Sequence, residues 1–261
     1  MPDHFDTSAK TYDAVFTFSE IGKAQRHRVY QFLSRNILPV SEKLNILEIN
    51  CGTGEDALYL ANKGHRVLAT DISEAMIAAA HEKRASDNVQ FLKQDITAIR
   101  KDTFSEKFDL IFSNFGGLNC LSPEQLRKFM EIAPSLLQPQ GKMVWVIMPR
   151  HTLWERVYFM LKGKLKRAFQ RKNKGPVSVN VEGVTVPTWY YNPQEIVHLA
   201  KDGFVATAIK PIGICIPPSY LESFFASRKK LLGIFRRMES WFNYGFWAKY
   251  ADHYIIELQL K

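Results

Sequence analysis

The chain has little cysteine, no long apolar run and no internal repeat. Its 261 residues include three cysteines, Cys51, Cys120 and Cys215, widely spaced and without a C-x-x-C pair. An odd, scattered set argues against a disulfide framework and against zinc, so no metal is expected and a reducing cytoplasmic setting is the default. No apolar stretch reaches the ~18 residues a membrane-spanning helix needs. Residues 1–6 lack the basic-then-apolar layout of a secretory leader. The missing repeat excludes a solenoid array. The chain is 46% hydrophobic and 23% charged, a balance that supports one buried core, and its length suits one large α/β domain with an elaboration.

Acids are missing from one stretch. Residues 162–174 carry Lys162, Lys164, Lys166, Arg167, Arg171, Lys172 and Lys174 without a carboxylate among them. A second cluster, Arg228, Lys229, Lys230, Arg236 and Arg237, lies near the C-terminus. These twelve charges exceed the net charge of +9, so the remainder is near neutral. Localised positive charge suits an anionic surface or substrate; a solvated face is the plainer reading.

Regular elements alternate through most of the chain. Residues 19–36 read as a helix with Ser19 as N-cap and Pro39 beyond its end. Strands are predicted over 44–49, 66–70, 89–93, 108–113, 142–148 and 204–211, with a last alternating strand over 252–260. Helices fall over 55–63, 74–85 (capped by Ser73), 123–137 and 193–202. Ser122-Pro123-Glu124-Gln125 and Asn192-Pro193 supply capping residues with proline at the first helical position. Such alternation implies crossover units and a doubly wound, mostly parallel, Rossmann-like sheet. The rhythm breaks over 149–192, read as an insertion across the sheet's carboxyl edge. It holds a hairpin around Glu182-Gly183 and a helical face of Trp154, Tyr158, Leu161 and Leu165. Residues 220–242 are broadly helical.

The most informative stretch is 46–60. An apolar run ends in Glu48 and Asn50, Gly52 and Gly54 follow, and a helix begins at once. Strand, glycine turn and helix expose backbone N–H groups beside a nucleotide-like ligand. Gly52-x-Gly54-x-x-Ala57, with Asp71 ending the next strand, also fits the dinucleotide fingerprint of a nicotinamide enzyme. Glu48 argues otherwise, because a carboxylate there disfavours a pyrophosphate and suits an ammonium group. Gln94-Asp95-Ile96 offers an acceptor and an apolar edge for adenine.

Taken together, Glu48-Ile-Asn-Cys-Gly-Thr-Gly54, Ala69-Thr-Asp71-Ile-Ser, Val89-Gln-Phe-Leu-Lys-Gln-Asp95, Phe108-Asp-Leu-Ile-Phe-Ser-Asn114 and Leu137-Gln-Pro-Gln-Gly141-Lys resemble the motifs of class I S-adenosylmethionine-dependent methyltransferases over residues 44–148. Asn50 departs from the small residue more usual there. The resemblance implies a seven-stranded sheet with an antiparallel last strand, and S-adenosylmethionine as cofactor, leaving as S-adenosylhomocysteine. It implies that Glu48 holds the methionine ammonium while Asn50, Gly52 and Gly54 shape the loop. Asp71 would accept from the ribose hydroxyls, Ile72 would pack on adenine, Asp95 with Ile96 would bind its amino edge, and Asn114 would lie near the methyl group. The opening Phe5-Asp-Thr-Ser-Ala-Lys-Thr-Tyr12-Asp13 is similar to the N-terminal segment of ubiquinone/menaquinone-type small-molecule methyltransferases. Residues 1–40 would therefore form a helical lid, with Tyr12 on the cofactor and Arg26 or Arg28 on its carboxylate.

One domain over 1–261 is expected, with 149–192 capping the acceptor. Methyl transfer from a sulfonium needs no protonation of the leaving group, so positioning and water exclusion dominate. A general base matters only for hydroxyl or ammonium acceptors. His151 is the first candidate, with Glu155, Tyr190 and Tyr191 in the same region and Asp252 and His253 opposite. The aromatics Trp154, Tyr158, Phe159, Phe169 and Trp189 suit an aromatic or lipid-like small-molecule acceptor; packing of the insertion onto the sheet accounts for many of them. An anionic membrane met by 153–172 ranks second and nucleic acid third, since Ser113-Asn114-Phe115-Gly116 is not the Asn-Pro-Pro-aromatic run of base-modifying enzymes. A nicotinamide oxidoreductase and a catalytically silent cofactor-binding scaffold remain as alternatives. Oligomeric state stays open.

Overall fold

The computed structural model describes residues 6, 9–38, 42–83, 86–181 and 184–261. The opening around Phe5, Pro39, Ala85 and the Glu182-Gly183 turn lie outside the described residues.

Seven strands form one sheet in the order β3-β2-β1-β4-β5-β9-β8: β1 Asn45–Ile49, β2 Arg66–Asp71, β3 Val89–Lys93, β4 Phe108–Ser113, β5 Leu137–Ile147, β8 Phe204–Ile212 and β9 His253–Leu260. Neighbours from β3 to β5 pair in parallel, and β9 runs antiparallel to both β5 and β8. The doubly wound sheet with an antiparallel final strand is therefore as expected. A separate hairpin, β6 Val177–Val181 with β7 Val184–Thr188, sits in the 149–192 segment. The helices are α1 Ala9–Tyr12, continued by a π-helical turn Asp13–Thr17, then α2 Glu20–Asn36, α3 Glu55–Asn62, α4 Glu74–Glu82, α5 Pro123–Leu136, α6 Leu153–Leu161, α7 Leu165–Ala168, α8 Pro193–Ala200, α9 Glu222–Phe225 and α10 Lys229–Glu239.

A sheet covered on both faces buries both sets of alternating side chains. Leu47 and Ile49 of β1, and Met143, Trp145 and Ile147 of β5, enter the core with α5 and α8. Ile46 of β1, with Val144 and Val146 of β5, enters the opposite core under α2, α3 and α4. Local caps set the helix starts: Ser19 accepts from Gly22 N–H, Ser73 from Met76 N–H, and Ser122 forms a reciprocal box with Gln125.

Residues 220–242, expected to be broadly helical, consist of a 3-10 turn, α9, α10 and a second 3-10 turn over Ser240–Phe242. Two expectations need correction. The strand predicted over 142–148 starts earlier: residues 137–141 belong to β5, Leu137 pairing with Phe108 before a register shift. The single helical face of Trp154, Tyr158, Leu161 and Leu165 does not form: α6 ends at Leu161, Gly163 (φ +67°) follows, and Leu161 and Leu165 face solvent at 84% and 60% exposure while Trp154 and Tyr158 pack on Phe235 and Tyr220. Between β1 and β4 the winding direction reverses, and the crevice at the carboxyl ends there is the natural ligand position in such a sheet.

Candidate active site

The loop from β1 to α3 is held in an unusual conformation. Asn50, Gly52 and Gly54 all have positive φ, at 58°, 54° and 78°. At Gly54 a Cβ would stand 2.6 Å from the Phe91 ring and 2.9 Å from Ala80, so only glycine lets the loop lie against α4 and β3. The β4–α5 turn presses from the other side, Gly117 resting on the Asn50 side chain.

Behind this loop Glu48 is buried, and its Oε2 has no hydrogen-bond partner. Burial drives its carboxyl pKa well above the usual range; Asp56 reinforces the shift, Arg26 opposes it and Asp71 adds to it. Asp71 accepts from Gly52 N–H and Ser73 N–H, each at 2.9 Å, which ties the end of β2 to the glycine loop. Burial nonetheless raises its pKa, outweighing those bonds. A carboxylate has about four acceptor positions, so these bonds leave acceptor capacity free.

Asp56, in the first turn of α3, was not singled out in the sequence. It accepts from Arg26 at 2.6 Å, Tyr30 at 2.7 Å and Asn114 at 3.0 Å, joining α2, α3 and β4. The signal was present: Asp56, Ala57, Leu60 and Ala61 form the buried side of α3. Of the two arginines weighed for the carboxylate position, Arg26 reaches the site, and its guanidinium lies 5.3 Å from the Phe115 ring centre. Arg28 is a correction: two residues on, a helix points elsewhere, and Arg28 donates to Gln31.

The N-terminal segment covers the loop. The Tyr12 ring lies beside Gly52, 3.9 Å from where a Cβ would be. Burial pushes the Tyr12 phenol up to about 12. Asp13 accepts from Thr53 Oγ1 at 2.6 Å and pairs with Lys83 at 2.5 Å. Asp6 accepts from the Ser73 hydroxyl. On the far side of β2, Ile72 is half-buried, Ile96 is buried, and Asp95 accepts from the N–H and hydroxyl of Thr97, capping a 3-10 turn.

Four buried polar atoms around the crevice have no partner: Glu48 Oε2, Asn50 Nδ2, Arg26 Nε and Ser113 Oγ. Buried polar groups are ordinarily satisfied, so such a cluster calls for a ligand. A zwitterionic amino-acid group matches it, ammonium toward Glu48 and carboxylate toward Arg26 and Asn50. The donor set thus fits the methionine end of a sulfur nucleoside better than a pyrophosphate. Among the described residues no group of three or more His, Cys, Asp or Glu could hold a metal.

The other side of the Asn114–Phe115 turn carries a different network. His253, opening β9, sets its ring edge-on to Phe115 at 5.2 Å, beside Asn114, and its Nδ1 is 3.3 Å from Asp252. Asp252 also accepts from Gln25 at 3.2 Å and Arg171 at 3.3 Å, while Arg171 donates to Glu155 at 2.6 Å. Although burial opposes the charge on Asp252, His253, Arg171 and Gln25 hold its pKa below the usual range. Glu155 is thus occupied by Arg171 and Gln170. His151 faces Arg156, whose Nη2 is 2.6 Å from its Nδ1; burial and then Arg156, Lys172, Lys249 and Arg150 lower its pKa. Tyr191 belongs to the main core and donates to Leu121 O, and Tyr190 is buried beneath Arg171. Several aromatics of the insertion therefore hold it to the sheet.

Residues 46–141 match the family model of the methyltransferase domain. The chain is 32% identical over 141 residues to the demethylmenaquinone methyltransferase of Clavibacter sepedonicus, covering 54% of each chain. It is 27% identical over 233 residues to the malonyl-[acyl-carrier protein] O-methyltransferase of Priestia megaterium, covering 87% of this chain and 78% of that one. The first of these matches spans only about half of its relative's length. Two solved structures share the fold. The DhpI–SAH complex has a TM-score of 0.63 at 17% identity, covering 99% of this chain and 94% of that one. The magnesium protoporphyrin IX methyltransferase of Synechocystis PCC 6803 with bound SAH has a TM-score of 0.61 at 15% identity, covering 100% and 98%. Residues 46–141 carry a methyltransferase domain on the Rossmann-like fold of the class I S-adenosylmethionine-dependent enzymes, and S-adenosylmethionine is its cofactor. The fingerprint at Gly52–Gly54 is thus a methyltransferase motif in this chain.

Proposed function

We propose that the chain transfers a methyl group from S-adenosylmethionine to a small-molecule acceptor with an aromatic or lipid-like body. The observation that carries this reading is the unpartnered Glu48 carboxyl behind a glycine loop that Asp71 fastens from the next strand. When bound, the cofactor supplies an electrophilic methyl on a sulfonium, open to in-line displacement.

The chain's residues do the rest. Glu48 holds an ammonium, Arg26 and Asn50 take a carboxylate, and Asp71 accepts ribose hydroxyls through its remaining lone pairs. Gly52 and Gly54 let the ligand approach the loop backbone, Ile72 and Ile96 flank the base, and Asp95 receives its amino group. Tyr12, within a lid formed by the N-terminal 40 residues, excludes water. The 149–192 segment caps the acceptor, which meets Asn114, Phe115 and the His253 ring.

His253 replaces His151 as the group placed to handle an acceptor proton. It stands against the turn carrying Asn114 with its Nδ1 3.3 Å from Asp252, whereas the Nδ1 of His151 must accept from Arg156, because a guanidinium only donates. The relatives named for demethylmenaquinone and malonyl-[acyl-carrier protein] give the first acceptors to try.

Calorimetric titration with S-adenosylhomocysteine and, separately, NADH is the test, followed by transfer of a labelled methyl group to quinol, phenol and carboxylate acceptors. Binding of the sulfur nucleoside with label transfer is expected. Tight NADH binding with no response to the nucleoside would mean an oxidoreductase, and nucleoside binding without transfer to any acceptor would mean a scaffold.

A further inference from the structure

The two basic clusters, about sixty residues apart in sequence, belong to one packed unit. Trp154 of α6 meets Phe235 of α10 at 6.0 Å between ring centres, and Tyr158 meets Tyr220 at 5.1 Å. The unit is pinned to the body of the protein. Glu222 of α9 accepts from Glu20 N–H and Ile21 N–H at the start of α2, both at 2.9 Å. Glu239 of α10 accepts from the N–H groups of Gly213, Ile214, Cys215 and Ile216 at 2.7–3.2 Å.

Segments 153–174 and 219–242 contain three carboxylates, Glu155, Glu222 and Glu239. All three are spent inside, on Arg171 and Gln170, on the start of α2 and on the 213–216 loop. The outward surface keeps only positive charge, including Lys164, Lys166, Arg167, Lys230, Arg236 and Arg237, all exposed. Interleaved with it are large apolar side chains: Leu161 at 84% exposure, Leu165 at 60%, Ile234 at 52% and Trp241 at 72%.

We propose that this α6–α7 and α9–α10 surface binds the face of an anionic phospholipid bilayer. A polyanionic nucleic acid or an acidic protein would reward the lysines yet leave Leu161 and Leu165 in water. A bilayer interface takes up both, headgroup phosphates meeting the cations while aliphatic and indole groups enter the acyl boundary. Among the described residues no helix is long and apolar enough to cross a membrane, so the contact is peripheral. The proposal rests on the surface alone and is independent of the reaction.

The test is co-sedimentation of the full chain with vesicles of phosphatidylcholine, and of phosphatidylcholine with phosphatidylglycerol at three parts to one. Partitioning should favour the anionic vesicles by about tenfold or more and fall with added salt, each exposed lysine being worth about fivefold. The combined Lys162→Gln, Lys164→Gln and Lys166→Gln variant should lose most of that preference. A Leu161→Glu, Leu165→Glu variant should weaken binding by about tenfold or more even to the anionic vesicles. An unchanged melting temperature shows that both variants stay folded. Equal binding to neutral vesicles, no binding to either, indifference to both variants, or preference for polyglutamate or duplex RNA over vesicles would each overturn the proposal. Nucleoside titration of the same samples tests the catalytic reading separately.

Discussion

The end of β1 and the loop after β8 each bury a glutamate at 1% exposure, and the two are treated in opposite ways. Glu239 receives four backbone N–H groups from residues 213–216, so its charge is fully answered within the fold. Glu48 leaves an oxygen unmet, with Asp56 and Asp71 close enough to make its ionisation costly. A buried carboxylate satisfied by backbone donors braces a structure; the one left open beside a glycine loop is the group proposed above to meet the ligand's ammonium. Burial and residue type are identical, so the inventory of partners is what separates architecture from function.

That contrast can be broken from either side. Glu239→Ala should have the largest effect, since it strands four N–H groups at about 1–3 kcal/mol each when they stay dry. A loss of about 4 kcal/mol or more is expected in urea unfolding, and a loss below about 1 kcal/mol would show that water replaces the carboxylate. Asp71→Ala should weaken S-adenosylhomocysteine binding by about 1.5–3 kcal/mol, the usual worth of charge-assisted hydrogen bonds; unchanged affinity by calorimetry would remove Asp71 from the site. Glu48→Gln should lose binding to a similar degree but with the opposite sign on stability. The ligand-free variant should melt higher, because an isosteric amide removes the ionisation penalty; a lower melting temperature would refute this.

The smallest effect is a pH slope. The folded pKa of Glu48 lies above its unfolded value. Its contribution to stability is therefore fully present below the unfolded pKa and is lost as pH rises through the folded one. A ligand ammonium favours the ionised form, so nucleoside affinity should rise with pH, by at most about tenfold per unit, until the free-protein pKa is passed. Calorimetry across that range should show the slope in wild type and none in Glu48→Gln.

Much of this was readable beforehand, and the reasons are local. β3 and β4 begin and end where predicted because apolar runs are bounded by polar turns, and the Ser19, Ser73 and Ser122 caps act within three residues of themselves. The crevice was readable because Glu48, the glycines and Asp71 sit at fixed distances from strand ends. Docking was not. Choosing Arg26 over Arg28 requires knowing which side of α2 meets the sheet, and preferring His253 to His151 requires knowing that β9 delivers its first residue beside Phe115. Glu239 was missed although it falls seven residues after the buried Leu232, on the same side of α10. Leu161 and Leu165 were grouped on one helical face with Trp154 and Tyr158 by a spacing that ignores the break at Gly163.

The N-terminal clasp has a consequence for tempo. Asp13 grips Thr53 inside the glycine loop and Lys83 on α4, while Tyr12 lies against Gly52. The latch is fastened to the very ledge it covers. On the function proposed above, spent nucleoside leaves only when those bonds open, so a weakened clasp is expected to trade grip for speed.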